Sequence, residues 1–363
     1  ALTNTDNDNF LNSIESSSTQ GKKHKFDYQT SLFLETAQIS NETHIITFAL
    51  EHETEDFTQR GPVAFGSDPN QDLKTRSSSY IGEYRITFSD NLSLSGGIRH
   101  DDNSEFLNAT TYRGTAAYLF DENGLRLHAS FGTGIKNPTF AERFGFFSSS
   151  LFTPFIGNPN LEPEKSRGWE IGMDKSFFDN RFSLGLTYFN EQLEDEINGF
   201  FFDVATFTAT SVNETGKSRR KGLELTGRAL LSNELSLSGN YTYLNATQPD
   251  GFGGKEREVR RPKHTGNINI NYDFLNQRAN LNLNLNYNGK QGDVFFEPPF
   301  FAREIVPLDS FTLVNISASY KFSDMVSIYG RVENLLDENY EEVFGFQGTG
   351  LGVFAGGKMN FKP

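Results

Sequence analysis

Residues 279–290 read ANLNLNLNYNGK, in which Leu281, Leu283, Leu285 and Tyr287 alternate with Asn280, Asn282, Asn284, Asn286 and Asn288. Alternation of period two is the mark of a strand whose two faces differ. One face is driven out of water, and the other is a column of amides that needs water or polar partners. The pattern recurs along the chain. Leu125, Leu127, Ala129 and Phe131 alternate with Arg126, His128 and Ser130, and Leu235, Leu237, Gly239, Tyr241 and Tyr243 oppose Ser236, Ser238, Asn240 and Thr242. Ile268, Ile270, Tyr272 and Phe274 oppose Asn267, Asn269 and Asn271, and Phe182, Leu184, Leu186 and Tyr188 share one face. No stretch sustains a 3.6-residue period, so the chain reads as all-β.

About fifteen strands can be placed, near 26–37, 43–54, 74–89, 91–100, 107–120, 125–134, 164–178, 181–197, 215–231, 235–247, 262–274, 278–289, 308–322, 325–336 and 351–361. Their connections alternate in length. Tight turns rich in Asn, Asp and Gly, such as Ser89-Asp90-Asn91, Asp179-Asn180 and Ser323-Asp324, tolerate positive φ or cap themselves with a side chain. Between them lie long polar segments at 55–73, 135–163, 248–261, 290–307 and 337–350. Short turns at one end and long loops at the other describe an antiparallel transmembrane β-barrel in a bacterial outer membrane. Tyr and Phe near strand ends suit aromatic girdles at headgroup depth. On this reading the leucine row of 281–285 faces lipid, the asparagine row faces the lumen, and His128 lines the lumen. A soluble β-sandwich would explain the alternation but not the order of the connections.

Composition narrows the function. No run of eighteen apolar residues occurs, which excludes helical spans but leaves barrel strands open. A net charge of −14 argues against nucleic acid, whose phosphates require a basic footprint. The chain has no Cys, so no disulfide, thiolate metal site or cysteine nucleophile exists. No hydrolase motif is present, and the acidic run Glu191–Glu196 reads as a solvated strand end. The expectation is therefore a non-enzyme with no metal and no cofactor.

Three segments carry a family likeness. They are GTGIKNPTFAERF (132–144), GNPNLEPEKSRGWEIG (157–172) and VENLLDENYEEVFGF (332–346). Lys136, Pro138 and Thr139 form the first motif. Asn158, Pro159, Leu161, Pro163, Glu164 and Ser166 form the second, and Asn334, Leu335, Asp337 and Tyr340 the third. In this order the chain resembles the C-terminal barrel of TonB-dependent outer-membrane receptors. The resemblance implies a 22-stranded plugged barrel, of which about seven strands lie outside this chain. Residues 1–25 are then the end of a truncated strand plus an outer loop, and 26–363 the C-terminal part of the barrel. The N-terminal plug and its TonB-contacting segment are absent from this sequence.

The motif residues also read as scaffold. Pro159 and Pro163 fix a loop at a strand mouth, Glu164 opens the descending strand, and Asn334 and Asp337 can bond backbone where a strand ends. What the family implies is monomeric, TonB-driven uptake of a scarce bulky nutrient across the outer membrane, in contact with its lipid. Phe-rich outer loops are the candidate ligand surface: Phe144, Phe146, Phe147, Phe152 and Phe155 in one, Phe295, Phe296, Phe300 and Phe301 in another. The rival for these rings is packing of the loops against each other. No His lies between Lys136 and Leu161, which lowers haem as the substrate. Tyr340, Val343, Gly345 and Phe346 resemble the end of cobalamin receptors, although Leu351 departs from that pattern, so cobalamin stands ahead of an iron chelate such as a ferric siderophore. A passive porin-type channel and a soluble β-rich binding module are the alternatives from other classes.

Overall fold

The computed structural model describes residues 2–11, 14–35, 42–61, 70–120, 124–145, 155–203, 208–250, 253–297 and 302–360. The chain opens with β1 (Leu2–Leu11), β2 (Ile14–Glu35), β3 (Glu42–Arg60), β4 (Gln71–Phe88), β5 (Leu92–Asn103), β6 (Ala109–Phe120) and β7 (Leu125–Lys136). A one-turn helix, α1 (Phe140–Phe144), precedes β8 (Glu164–Phe177) and β9 (Phe182–Glu194). Next come β10 (Ile197–Asp203), β11 (Thr208–Asn213), β12 (Lys217–Leu230), β13 (Leu235–Pro249), β14 (Lys255–Arg257), β15 (His264–Phe274) and β16 (Ala279–Asn288). The chain ends with β17 (Gln291–Glu297), β18 (Ala302–Leu308), β19 (Phe311–Lys321), β20 (Val326–Glu333), β21 (Glu341–Val343), β22 (Phe346–Gln347) and β23 (Gly352–Met359).

Seventeen of these strands form one antiparallel sheet in chain order, each long strand bonded to the next. The strands β10–β11, β17–β18 and β21–β22 pair separately within the connections. Among the described residues no ladder joins β1 to β23, so the sheet is a barrel segment with two free edges. The turns at one end carry the expected positive φ, at Ser89 and Asp90, at Asp179 and Asn180, and at Asn276 and Gln277. The long connections all lie at the other end. That order has two exceptions, since β5 and β6 are joined by residues 104–108 only and β1 and β2 by residues 12–13 only.

The strand edges also move. β2 begins at Ile14 rather than near residue 26, and it pairs with β1 from Leu2↔His24 to Leu11↔Ile14, so strand rather than loop fills most of 1–25. β2 has 22 residues where a membrane crossing takes about 10, so its upper half stands clear of any bilayer. The helix α1 was not visible as a period because it is five residues long. Thr139 caps it, accepting from the Glu142 amide, and the Glu142 carboxylate in turn accepts from the Thr139 amide.

The alternation holds across the register. Leu285 faces Ile268, which faces Gly239, which faces Gly227, which faces Leu184. Large side chains on this face stay open: Leu184 is 52% and Ile171 57% exposed. The few buried apolar residues, among them Phe155, Leu161, Ala209 and Phe311, do not amount to a soluble core. A sandwich would have covered this face, and a barrel leaves it for lipid. Rings border it at both levels. Trp169 and Tyr188 lie 5.4 Å apart toward the loop end, and Tyr272–Phe274 and Tyr320–Phe322 are 5.2 and 4.9 Å apart at the turn end.

Candidate functional site: the polar wall and its roofed mouth

The face opposite the leucine rows is a continuous polar wall. Its asparagines satisfy one another along and across strands. Asn269 and Asn282 exchange bonds of 3.2 and 3.1 Å, Asn280 donates to Asn271 (2.9 Å) and Asp273 (2.8 Å), and Asn267 donates to the Leu285 carbonyl (3.1 Å). An amide can donate and accept at once, so a column of them holds itself without a charge. Nearer β3 the wall is ionic. Arg99 spends its three nitrogens on Asp101 (2.8 Å), Glu51 (2.9 Å) and Ser79 (2.7 Å), and Lys25 meets Glu51 at 3.0 Å. His128 lies on this face, 3.7 Å from Asp174, as expected of a lumen residue.

The long connections fold over the mouth of this wall. The segment 137–163 carries α1 back to strands four places away. Phe140 stacks on Phe57 of β3 with ring centroids 5.4 Å apart, and Gln71 of β4 donates to the Phe144 carbonyl at 2.8 Å. Arg143, 9% exposed, lies between the rings of Phe106 and Phe144, at 4.7 and 4.8 Å. The same segment is sewn to the β10–β11 hairpin. Phe155 bridges to Ala209, the Ile156 amide donates to the Ala209 carbonyl (2.8 Å), and Asn158 donates to the Ser211 carbonyl (3.1 Å). Asn213 returns a bond to the Glu162 carbonyl (2.9 Å).

A second roof element gathers β17, β18, β21 and β22. Its centre is Asp293, whose side chain is 1% exposed. The carboxylate accepts from Arg260 Nε (2.6 Å), the Val294 amide (2.7 Å) and the Phe344 amide (2.8 Å). Burial works against the charge, but these donors outweigh it and hold the carboxyl below the usual aspartate range. Phe295 meets Phe344 edge-on at 5.2 Å, and Gln291 donates to the Glu342 carbonyl at 2.9 Å.

Between the two elements Arg220 acts as a hub. It donates to both oxygens of Glu258 (2.7 and 2.8 Å) and lies 3.7 Å from Glu196. Glu196 also accepts from Ser218. Burial pushes the Glu196 carboxyl above its usual range, with Glu258 and Glu164 adding to the shift and Ser218 and Arg220 opposing it. The run 191–196 is thus less solvated than its sequence suggested. Its last residue is half-buried under the roof.

The three motifs build this mouth. Lys136 pairs with Glu164 at 3.0 Å across the start of β8, and Glu164 also accepts from the Ile197 amide at 2.8 Å. Pro138 precedes the Thr139 cap. Asn158 and Leu161 close the turn that holds Pro159, two residues before Pro163, and Leu161 is buried. Asn334, 4% exposed and at φ 48°, donates to the Glu338 (2.9 Å) and Thr349 (3.1 Å) carbonyls and accepts from the Glu338 amide (2.9 Å). Asp337 accepts from the Leu351 amide (2.9 Å), and Tyr340 packs on Phe311 with centroids 4.5 Å apart. Leu335 is 43% exposed.

Among the candidate ligand rings, Phe155 is buried in the roof, Phe295 is engaged by Phe344, and Phe144 lies against Arg143. Phe296 is 44% exposed. Phe146, Phe147, Phe152, Phe300 and Phe301 lie outside the described residues. Arg99, Arg220 and Asp293 were not singled out in the sequence, because their partners lie up to 51 residues away and leave no local spacing to read.

Comparisons with known proteins agree with this architecture. The chain is 28% identical over 280 residues to the vitamin B12 transporter BtuB of Photobacterium profundum, covering 76% of this chain and 41% of that protein. The siderophore receptor PirA of Acinetobacter baumannii superposes with a TM-score of 0.77 at 18% identity, over 97% of this chain and 56% of its own. The hemophore receptor HasR of Serratia marcescens, solved with its hemophore HasA and heme, gives 0.76 at 16% identity, over 95% and 60%. The chain thus spans about half the length of these relatives. Residues 1–335 match the family model described as TonB dependent receptor-like, beta-barrel. With the membrane-facing wall and three motifs in place, the chain belongs to the TonB-dependent receptors, the β-barrel receptors and transporters of the Gram-negative outer membrane.

Proposed function

We propose that this chain supplies the ligand-holding wall and mouth of a receptor that imports a scarce, bulky nutrient under TonB control, with cobalamin favoured over a ferric siderophore. The observation that carries a receptor rather than a passive channel is the roof. Its α1 segment reaches back to Phe57 and Gln71, its second element is held together through Asp293, and Arg220 ties β12 to the Glu258 segment beside them. An open pore needs a clear mouth. A receptor needs a surface that closes over a ligand too large to diffuse freely. Capture and release involve no covalent step, which agrees with a non-enzymatic role. The preference for cobalamin rests on the relative named as a vitamin B12 transporter and on the Tyr340–Phe346 stretch. Phe296, with its open ring at the mouth, is the first candidate contact.

The test is uptake by the complete gene product in a Gram-negative host lacking its own cobalamin receptor. Labelled cyanocobalamin should accumulate, and accumulation should stop when TonB is deleted. Entry independent of TonB would mean a passive channel. Uptake of ferric chelates without cobalamin would keep the receptor and replace its substrate.

A further inference from the structure

The lumen face of the wall is of two kinds. From β2 to β8 it is ionic: Lys25, Glu51, Arg99 and Asp101 bond across β2, β3 and β5, and Arg126 of β7 pairs with Asp174 of β8 at 2.9 Å. From β13 to β19 it is neutral. One rung runs Ser238 (β13), Asn269 (β15), Asn284 (β16), Asn315 (β19), and the next toward the turns runs Ser236, Asn271, Asn282, Ser317. On the lumen face of these four strands, from Thr242 down to the turns, the only charged side chains among the described residues are Asp273 and Lys321, both at turn level. The amides bond one another, Asn267 to Asn286 and Asn286 to Asn284 as well as Asn269 to Asn282. From Asn280 to Asn286 the column covers about 20 Å along its strand, two-thirds of a bilayer's hydrocarbon core.

A cavity of about 340 Å³ joins this column to the mouth. Asn282, Asn284, Asn315 and Ser317 form its wall, and Asn334 and Tyr340 its top. The charges that line it, Arg331 and Glu333, are paired with each other at 2.7 Å, and the guanidinium lies 4.3 Å from the ring centre of Phe354. The two kinds of wall treat a passing solute differently. An ion pair that turns toward a solute leaves a charge unpaired, which is costly wherever water is excluded. An amide that exchanges a neighbouring amide for an amide or hydroxyl of the solute keeps its number of bonds, so each contact is weak and the next is equivalent. Conduction along a surface needs sites of that kind, favourable enough to enter and weak enough to leave. An anion on the same path would leave water with no free cation to meet it.

We propose that the neutral β13–β19 wall, entered through the cavity under Asn334 and Tyr340, is the track along which the cargo crosses the barrel, and that it selects an uncharged cargo carrying carboxamides or hydroxyls over an anionic one. The proposal rests on the uptake reading above and gives its cargo a charge class. Cyanocobalamin, neutral and edged with carboxamides, belongs to that class, and a ferric tricatecholate, an anion, does not.

The test measures surface binding and uptake separately, with the complete gene product in cells with and without TonB. The probes form two pairs: cyanocobalamin and a monocarboxylate derivative of it, and a neutral ferric trihydroxamate and an anionic ferric tricatecholate. In whichever pair enters, the neutral probe should enter faster. Asn269→Leu, Asn284→Leu and Asn315→Leu together remove one rung, and should slow TonB-dependent uptake of the neutral probe about tenfold, the equivalent of one lost hydrogen bond, while its binding at the cell surface stays within about twofold. The same exchange on the ionic side, Thr47→Leu, Ser95→Leu and Thr115→Leu, should leave uptake within about twofold. Asn284→Lys alone keeps the wall polar and places a cation on the track, so it should narrow the gap between the anionic and the neutral probe. Folded barrel is read throughout by heat-modifiable migration. Amides that served only to fix strand register would give less folded barrel in the leucine triple and an unchanged gap between the probes in Asn284→Lys, and that result would overturn the proposal. Faster entry of an anionic probe than of its neutral partner, or equal slowing by the two triples, would also overturn it. Absence of TonB-dependent entry for all the probes would overturn the receptor reading itself, and the track with it.

Discussion

Replacing Asp293 by Ala should unfasten one half of the roof and leave the barrel standing. The carboxylate is the only described group that ties the β17–β18 hairpin, the Arg260 turn and the Phe344 segment together. Of its three bonds, the one from the Phe344 amide joins two connections 51 residues apart. A bond from a backbone amide to a charged acceptor contributes about 1.5–3 kcal/mol. The Arg260 pair adds less. Its guanidinium is half exposed, so water screens it, and about 0–1 kcal/mol is the appropriate figure. Gln291 and the Phe295–Phe344 contact survive the change, so the joint should weaken by about 2–4 kcal/mol. That corresponds to amide exchange at Phe344 about thirtyfold to several hundredfold faster, read by hydrogen–deuterium exchange on protein in detergent. Asp293→Asn, which keeps an acceptor but no charge, should fall between. The pH dependence follows from the depressed carboxyl. Its contribution is complete above the ordinary aspartate range and disappears as pH falls through its lower, folded value, so the joint should hold at mild acidity and open only in strong acid. An exchange rate at Phe344 unchanged in Asp293→Ala would refute the reasoning, and so would loss of the folded barrel.

Three other outcomes are expected. Leu283→Arg should destabilise the barrel by about 2–4 kcal/mol near the membrane midplane, measured by denaturant titration in lipid vesicles, and Asn284→Arg by a small fraction of that; equal costs would contradict the assignment of faces. Asn334→Ala should disorder residues 337–350, seen as accelerated exchange at Glu338 and Leu351, because one side chain closes three bonds there; Asn334→Asp should restore the Glu338 amide bond but not those from Nδ2. Glu196, whose carboxyl is raised by burial, favours the folded roof more as pH falls from neutral toward the ordinary glutamate range, so exchange in β10–β11 should slow on mild acidification and lose that response in Glu196→Gln.

Period-two alternation was enough to state the fold class, the face of each side chain and most strand positions, because a strand's two faces follow from backbone geometry alone. The tight turns were legible for a similar reason. Asn, Asp and Gly advertise positive φ, and Asp179, Asn180 and Asn276 adopt it. The motif residues at 334–340 were read as backbone anchors, and the bonds of Asn334 and Asp337 are of that kind. What alternation does not carry is contact between distant connections. The β1–β2 pairing was hidden because polar strands standing clear of the membrane have no apolar row to reveal them. Phe155 and Phe295 looked like ligand-gripping rings and are packed into the roof, which composition could not decide. The bonds of Asp293 and Arg220 depend on which rungs and connections lie side by side. Register is a property of the assembled sheet, set by hydrogen bonds between strands far apart in the chain, so only the tertiary structure could bring those charges together.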